Sequence, residues 1–212
     1  MVEHTLLLLA ALFSVLNPLG ALPIFLSLTG DYTREEKNRI SLKTSINVFG
    51  ILIISFFIGS YFLEFFGISL SALQIAGGLI IISSGFALLG GKFVKSKGLN
   101  KKRRQAAAEK DTIAFTPLAM PMIAGPGAIS LLIATKETVK DDTLLIAGSA
   151  IAIVLISIII LLMLRGSNYL FKILGTNGIN AVSRILGFIV IAIGIQYIIN
   201  GSTTVLSGIF QG

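Results

Sequence analysis

Cut at every Asp, Glu, Lys and Arg, and counted from the residue after His4, the chain falls into six uncharged runs of 20 or more residues: 5–30, 44–63, 65–91, 112–135, 143–164 and 185–212. A helix rises about 1.5 Å per residue, so about 20 residues cover the ~30 Å hydrocarbon core of a bilayer. Each run is long enough to cross it, and six crossings with short connections consume most of the 212 residues. With 54% apolar and 13% charged residues and a mean hydropathy of +0.92, a soluble globular domain is excluded. The expected fold class is an all-α membrane protein with six transmembrane helices. No room is left for a soluble catalytic or nucleic-acid-binding domain.

The residue inventory narrows the chemistry. There is no Cys, hence no disulfide, thiolate nucleophile or iron–sulfur ligand, and the single histidine, His4, cannot form an imidazole cluster for a metal. No metal site and no cofactor are expected. The net charge of +7 is spread over the segments between the runs and makes no basic stripe with stacking aromatics, so nucleic acid is not an expected partner. The N-terminus lacks a positive region before its apolar run, which is longer than the core of a signal peptide; it reads as a retained first helix.

Orientation follows from the same charges. With six spans, the connections after the first, third and fifth runs share one side and hold fifteen of the 17 Lys and Arg residues, leaving only Lys136 and Lys140 opposite. Basic loops stay cytoplasmic, which puts both termini on the non-cytoplasmic side of a cell membrane.

All five prolines fall in two runs, Pro18 and Pro23 in the first and Pro117, Pro121 and Pro126 in the fourth. Proline removes an amide donor and clashes with the preceding turn, so both spans are expected to be broken, near the middle of each run. The third and sixth runs match as well: Gly78 and Gly85 are seven residues apart in one, Gly187 and Gly194 in the other. Seven residues make two helical turns, so each pair lies on one face and permits close helix approach. Residues 1–91 and 112–212 thus read as two copies of a three-helix unit, joined by a basic cytoplasmic linker at 92–111. Because three is odd, the copies run in opposite directions. A broken first helix in each half is the pattern of a secondary transporter with its site where the halves meet.

Asn17 and Pro18 suit an N-cap and first helical position, so a half-helix can restart there with free amides and a positive dipole end, which suits a carboxylate. The structural alternative is a packed proline kink with Asn17 capping its own backbone. The counterpart is Pro117 to Ile129, whose Gly125-Pro126-Gly127 core fits poorly inside a helix; unwound backbone at that depth needs cover from protein or a wet cavity. Two breaks in equivalent places favour the functional reading over a pair of unrelated kinks.

The strings Asn17-Pro18-x-Gly20-x-x-Pro23-x-Phe25 and Pro121-x-x-x-Gly125-Pro126-Gly127-x-Ile129 resemble the two signature segments of the MarC family, also called the NAAT family, of six-span membrane proteins. The resemblance extends over the whole chain, including the basic third connection and Arg184 placed three residues before Gly187. It implies an inner-membrane protein, and for some members transport of small neutral amino acids such as glycine and alanine. The expected substrate-binding residues are Asn17, Pro18, Gly20, Pro23, Pro121, Gly125, Pro126 and Gly127.

What is absent inside the spans also matters. No Asp, Glu, Lys or His sits within them, with Glu64 and Arg184 at their edges, so a carboxylate proton relay or an acidic ring has no residues to use. A net-neutral zwitterion fits better. Sodium held by carbonyl oxygens, or proton coupling, stays open. Gln74 and Gln196 join the substrate-binding set, with Ser83, Ser84 and Asn200 as weaker candidates; their structural alternative is interhelical hydrogen bonding, about 1 kcal/mol or less each. Arg184 is a gating residue or a snorkelling anchor. Lys101, Lys102, Arg103 and Arg104 can attract anionic lipid headgroups or simply fix orientation within the linker. A homo-oligomer is compatible with the sequence. The expected activity is transport, with a channel for a small uncharged solute or a non-transporting membrane scaffold as the alternatives. No enzyme is expected, since no span offers an acid–base pair, a nucleophile dyad or metal ligands.

Overall fold

A computed structural model describes residues 1–90 and 112–210, apart from the side chains of Pro121 and of residues 208–210. The basic linker, including Lys101, Lys102, Arg103 and Arg104, lies outside the described residues. Every element described is helical: α1 (Val2–Leu16), α2 (Pro18–Leu28), α3 (Arg34–Phe66), α4 (Leu70–Leu89), α5 (Pro126–Val139), α6 (Thr143–Arg165) and α7 (Ser167–Phe210), with a short 3-10 turn at Thr112–Ala114 and a wide-turned segment at Phe115–Ile123 before α5.

Local chemistry sets the boundaries. Thr33 and Glu36 form a reciprocal capping box at the start of α3: the Glu36 amide donates to Thr33 Oγ1 at 3.2 Å and the Thr33 amide to Glu36 Oε2 at 2.9 Å. Gly67 ends α3 at φ 63°, a left-handed conformation that costs glycine nothing. Ser69 caps α4, and Asp142 caps α6 by accepting from the Leu144 and Leu145 amides. At 33 residues, α3 is about 50 Å long, more than a bilayer core requires. Its first turns, Arg34 to Lys43, therefore extend ahead of the uncharged run at 44–63.

Four helices among the described residues are long and apolar enough to cross a membrane, namely α3, α4, α6 and the Ser167–Ser207 part of α7; α1 and α2 together, bent by 42°, make a fifth. The fourth uncharged run is divided among the 3-10 turn, the wide-turned segment and the 14-residue α5. Sequence alone leaves residues 165–184 as a connection, but helix continues through most of them, interrupted at Gly175, where φ 59° and ψ 178° break the winding.

The packing is apolar inside and out. Leu12, Leu22, Phe25, Phe56, Leu118 and Leu132 are fully buried where α1, α2, α3, α5 and α6 meet. The outer faces carry Phe62, Phe65, Phe86, Leu162 and Phe188, all exposed. Water does not tolerate an apolar surface this extensive, whereas lipid does. The second packing unit is α4 against α7, antiparallel, with Gly78 on Gly194 and Gly85 on Gly187: a Cβ on Gly85 would come 2.8 Å from the Gly187 carbonyl oxygen, and one on Gly187 2.9 Å from that of Gly85. The two seven-residue glycine pairs seen in the sequence are thus each other's partners.

Candidate functional site

The first break turns on one residue. Asn17 has φ 41° and ψ 63°, and is the only non-glycine residue with positive φ among those described. Its amide donates to the Phe13 carbonyl, closing α1, while its Oδ1 accepts from the Gly20 amide at 3.3 Å, opening α2. Asn tolerates this conformation because its short polar side chain bonds locally. Pro18 takes the first helical position, where no amide hydrogen is needed. A Cβ on Gly20 would collide with Asn17 Nδ2, so glycine there leaves room for the cap. Asn17 is only 3% exposed, and its Nδ2 has no hydrogen-bond partner. An unpaired buried amide donor is expensive, which makes it a point where a ligand atom gains most.

The second break is longer, and its prolines explain it. Thr116 (φ −118°, ψ 120°) and Met120 (φ −130°, ψ 131°) are extended, and each precedes a proline. So does Gly125, at φ −81° and ψ 173°. Proline's ring pushes the preceding residue out of the helical region, so Pro117, Pro121 and Pro126 interrupt the run three times. Helix resumes at Pro126. Gly125, its N-cap, has no side chain to accept from the first turn, and Pro126 has no amide hydrogen, so Gly127 supplies the first backbone donor of α5.

The two breaks meet. Asn17 and Val15 from the first, Met122, Gly125, Pro126 and Gly127 from the second, and Ser84 on α4 line one cavity of about 220 Å³. That is below the ~300 Å³ at which pockets for drug-sized ligands begin, so it matches a small solute. Gly127 is buried against α4, where a Cβ would lie 3.1 Å from Ile81 Cγ1. Among the described residues no charged side chain lines the cavity. The N-termini of α2 and α5 both border it, so its potential is set by helix ends and uncharged dipoles.

Comparison with known sequences places the chain. The profile of the family described as MarC family integral membrane protein matches residues 2–206. The chain belongs to the MarC family. Proteins named inner membrane protein MarC from Escherichia coli (strain K12) and from Shigella flexneri are each 36% identical to it over 204 residues, covering 91% of this chain and 91% of theirs. No solved structure matches it. It is thus an integral membrane protein whose relatives are named for the inner membrane.

Within this MarC-family chain the remaining sequence candidates separate. Pro18 and Gly20 are buried and Pro23 half-buried inside α2; they shape the backbone around Asn17 and do not line the cavity. Pro121 keeps Met120 extended, and its side chain lies outside the described set. Gln74 lines a different cavity, with His4, Thr135, Tyr197 and Asn200. Gln196 is exposed on α7 and donates from Nε2 to Asn200 Oδ1 at 2.8 Å, one turn away. Ser83 is exposed, whereas Ser84 reaches the break cavity while donating to the Ile80 carbonyl. Arg184 is exposed on α7 and lines no described cavity near the breaks. Val15 and Met122 were not singled out from sequence, because apolar side chains beside a break look like any other core residue.

Proposed function

We propose that this MarC-family protein is a secondary transporter of small neutral amino acids such as glycine and alanine, whose site is the cavity between the two helix breaks. The observation that carries this reading is the convergence of both breaks on one small cavity, lined among the described residues by no charged side chain, to whose wall Asn17 with its buried, unpartnered Nδ2 belongs. A carboxylate is the group such a place favours: Asn17 Nδ2 and the Gly127 amide donate to it, and the N-terminal ends of α2 and α5 stabilise its charge. The ammonium group of the same molecule finds the carbonyls of the unwound 123–125 stretch and the Ser84 oxygen. A net-neutral solute leaves no uncompensated charge in a cavity without ionised side chains.

Two inverted three-helix repeats are the architecture proposed to surround this site. The contacts of Gly78 with Gly194 and Gly85 with Gly187 support it, since a two-fold axis that takes Gly78 to Gly187 and Gly85 to Gly194 exchanges these two contacts. The excess of basic residues on one side supports termini on the non-cytoplasmic side.

The test is uptake of labelled glycine and alanine into proteoliposomes holding the purified protein, with and without sodium and proton gradients, beside a Gly127→Ala variant. Saturable uptake that the variant alters is the expected result, and the stimulating gradient identifies the coupling ion. Flux that rises linearly with concentration and shows no exchange replaces the carrier with a channel. No flux from folded protein under any gradient removes the reading.

A further inference from the structure

A second cavity, of about 530 Å³, lies among α1, α4, α5, α6 and α7 and is lined by His4, Gln74, Thr135, Tyr197 and Asn200 together with apolar residues. Its position relative to the break cavity is fixed along three helices at once. It takes residues 4–11 of α1, Gln74 of α4 and 131–139 of α5, whereas the break cavity takes 15–17, 84–88 and 126–128. On each helix the two sets are displaced along the axis, by about 15 Å from Gln74 to Ser84 at the rise of an α-helix. The second cavity therefore lies toward the face where α1 and α6 begin, a face tied together by the 2.8 Å contact of His4 Nε2 with Ser149 Oγ and by Thr5 Oγ1 donating to the Gly148 carbonyl. The break cavity lies toward the opposite face, where α4 ends.

Between the two sets of lining residues, α5 packs on α4. A Cβ on Gly77 would come 2.6 Å from Ser130 Cβ, and one on Gly127 would touch Ile81, which is fully buried. In each contact the obstructing group is a side chain, Ser130 or Ile81, and the glycine opposite it lets α4 and α5 approach closely without locking main chain to main chain. The wall of the second cavity offers amides and hydroxyls in both senses: Gln74, Asn200 and Thr135, and the Tyr197 hydroxyl, which donates to the Leu131 carbonyl at 3.3 Å. Among the described residues no carboxylate or ammonium lines it, so it repeats the polar, carboxylate-free character of the break cavity.

We propose that this second cavity is the far mouth of the same route, an antechamber for a small neutral polar solute, with the Gly77–Ser130 and Ile81–Gly127 contacts as the gate between the two. The proposal rests on the transport reading above and adds to it the path by which the solute reaches the opposite face.

The chain has no cysteine, so single-cysteine variants report cleanly. Thr135→Cys for the antechamber and Ser84→Cys for the break cavity are placed in the full-length protein in oriented proteoliposomes and exposed to a membrane-impermeant methanethiosulfonate from each side, with and without glycine. Asn200→Cys, at an exposed position, is a second antechamber reporter should Thr135→Cys not fold. The expected result is modification of the antechamber cysteine from the face that carries the N-terminus and of Ser84→Cys from the other. Glycine at about ten times its dissociation constant slows both roughly tenfold by mass action. Modification of both cysteines from one face, or an antechamber cysteine that reacts only after detergent solubilisation, overturns the two-ended route; glycine protection of Ser84→Cys would still uphold the transport reading in that case. Opposite-sided modification without protection upholds the route and removes glycine as its solute.

Discussion

Gly78 and Gly194 press backbone to backbone: a Cβ on Gly78 would stand 2.6 Å from the Gly194 carbonyl oxygen, and one on Gly194 2.8 Å from that of Gly78. Neither side can yield, since the obstructing atom belongs to the main chain. Gly194→Val is therefore expected to lower stability by about 1–3 kcal/mol, the usual cost of overpacking. Gly50 on α3 has nothing within 4 Å of its Cβ position, and Gly50→Ala is expected to be neutral or stabilising by about 0.5–1 kcal/mol. Thermal unfolding of the two variants in the same detergent tests both.

Asn17 combines two tasks that substitution can separate. Asn17→Asp keeps an acceptor for the Gly20 amide and a side chain suited to positive φ, but loses the unpartnered donor and brings a carboxylate to the cavity. Saturable glycine uptake should disappear while the protein remains folded. Asn17→Ala loses the cap as well, at about 1 kcal/mol of helix stability. Uptake and unfolding measured side by side distinguish the two variants; equal uptake by Asn17→Asp and the parent protein would rule out a carboxylate site there.

Gly127→Ala reduces the cavity by a methyl group on a wall where Ile81 must move a few tenths of an ångström. Alanine, larger than glycine by a methyl, should suffer more. The ratio of kcat/KM for glycine over alanine is expected to rise about tenfold, the scale of one methyl group in a tight pocket. Competition uptake with the two labelled amino acids gives that ratio directly.

Thr33 caps α3 and lines neither cavity, with its hydroxyl accepting from the Glu36 amide and its own amide donating to the Glu36 carboxylate. Thr33→Ala should cost about 1 kcal/mol of stability and leave the KM for glycine unchanged. A change in KM would mean that the end of α3 is coupled to the site.

Sequence exposed what is local and hid what depends on rotation about a helix axis. Asn17 as cap and Pro18 as first helical residue were readable because capping needs only neighbours in the chain. The glycine pairs were readable as faces, since seven residues is two turns, but that these two faces meet each other was not, because nothing in either run names its partner. Gln74 and Gln196 were chosen as polar residues in apolar runs, which says nothing of direction: Gln74 faces the second cavity, and Gln196 turns outward to Asn200. The irregularity of the fourth run was placed at Gly125 to Gly127 but begins at Thr116, because each proline acts on the residue before it. Residues 165–184 carry Arg165, Lys172 and Arg184, and charge alone marked them as a connection although most of them are helical.

The glycine contacts between α4 and α7 bear on movement as well as packing. A helix pair whose main chains touch at three levels, Gly201 on the Ser71 carbonyl being the third, works like a keyed shaft: sliding by one residue would drive the Ile82 and Ile191 side chains, which already border the notches, into the opposing backbone. Moving parts must then lie elsewhere. The elements outside that pair that line the break cavity are the bent α1–α2 span and the segment from Thr112 to Val139, so the cycle of the proposed transporter would fall to those two pieces, turning about an α4–α7 axle.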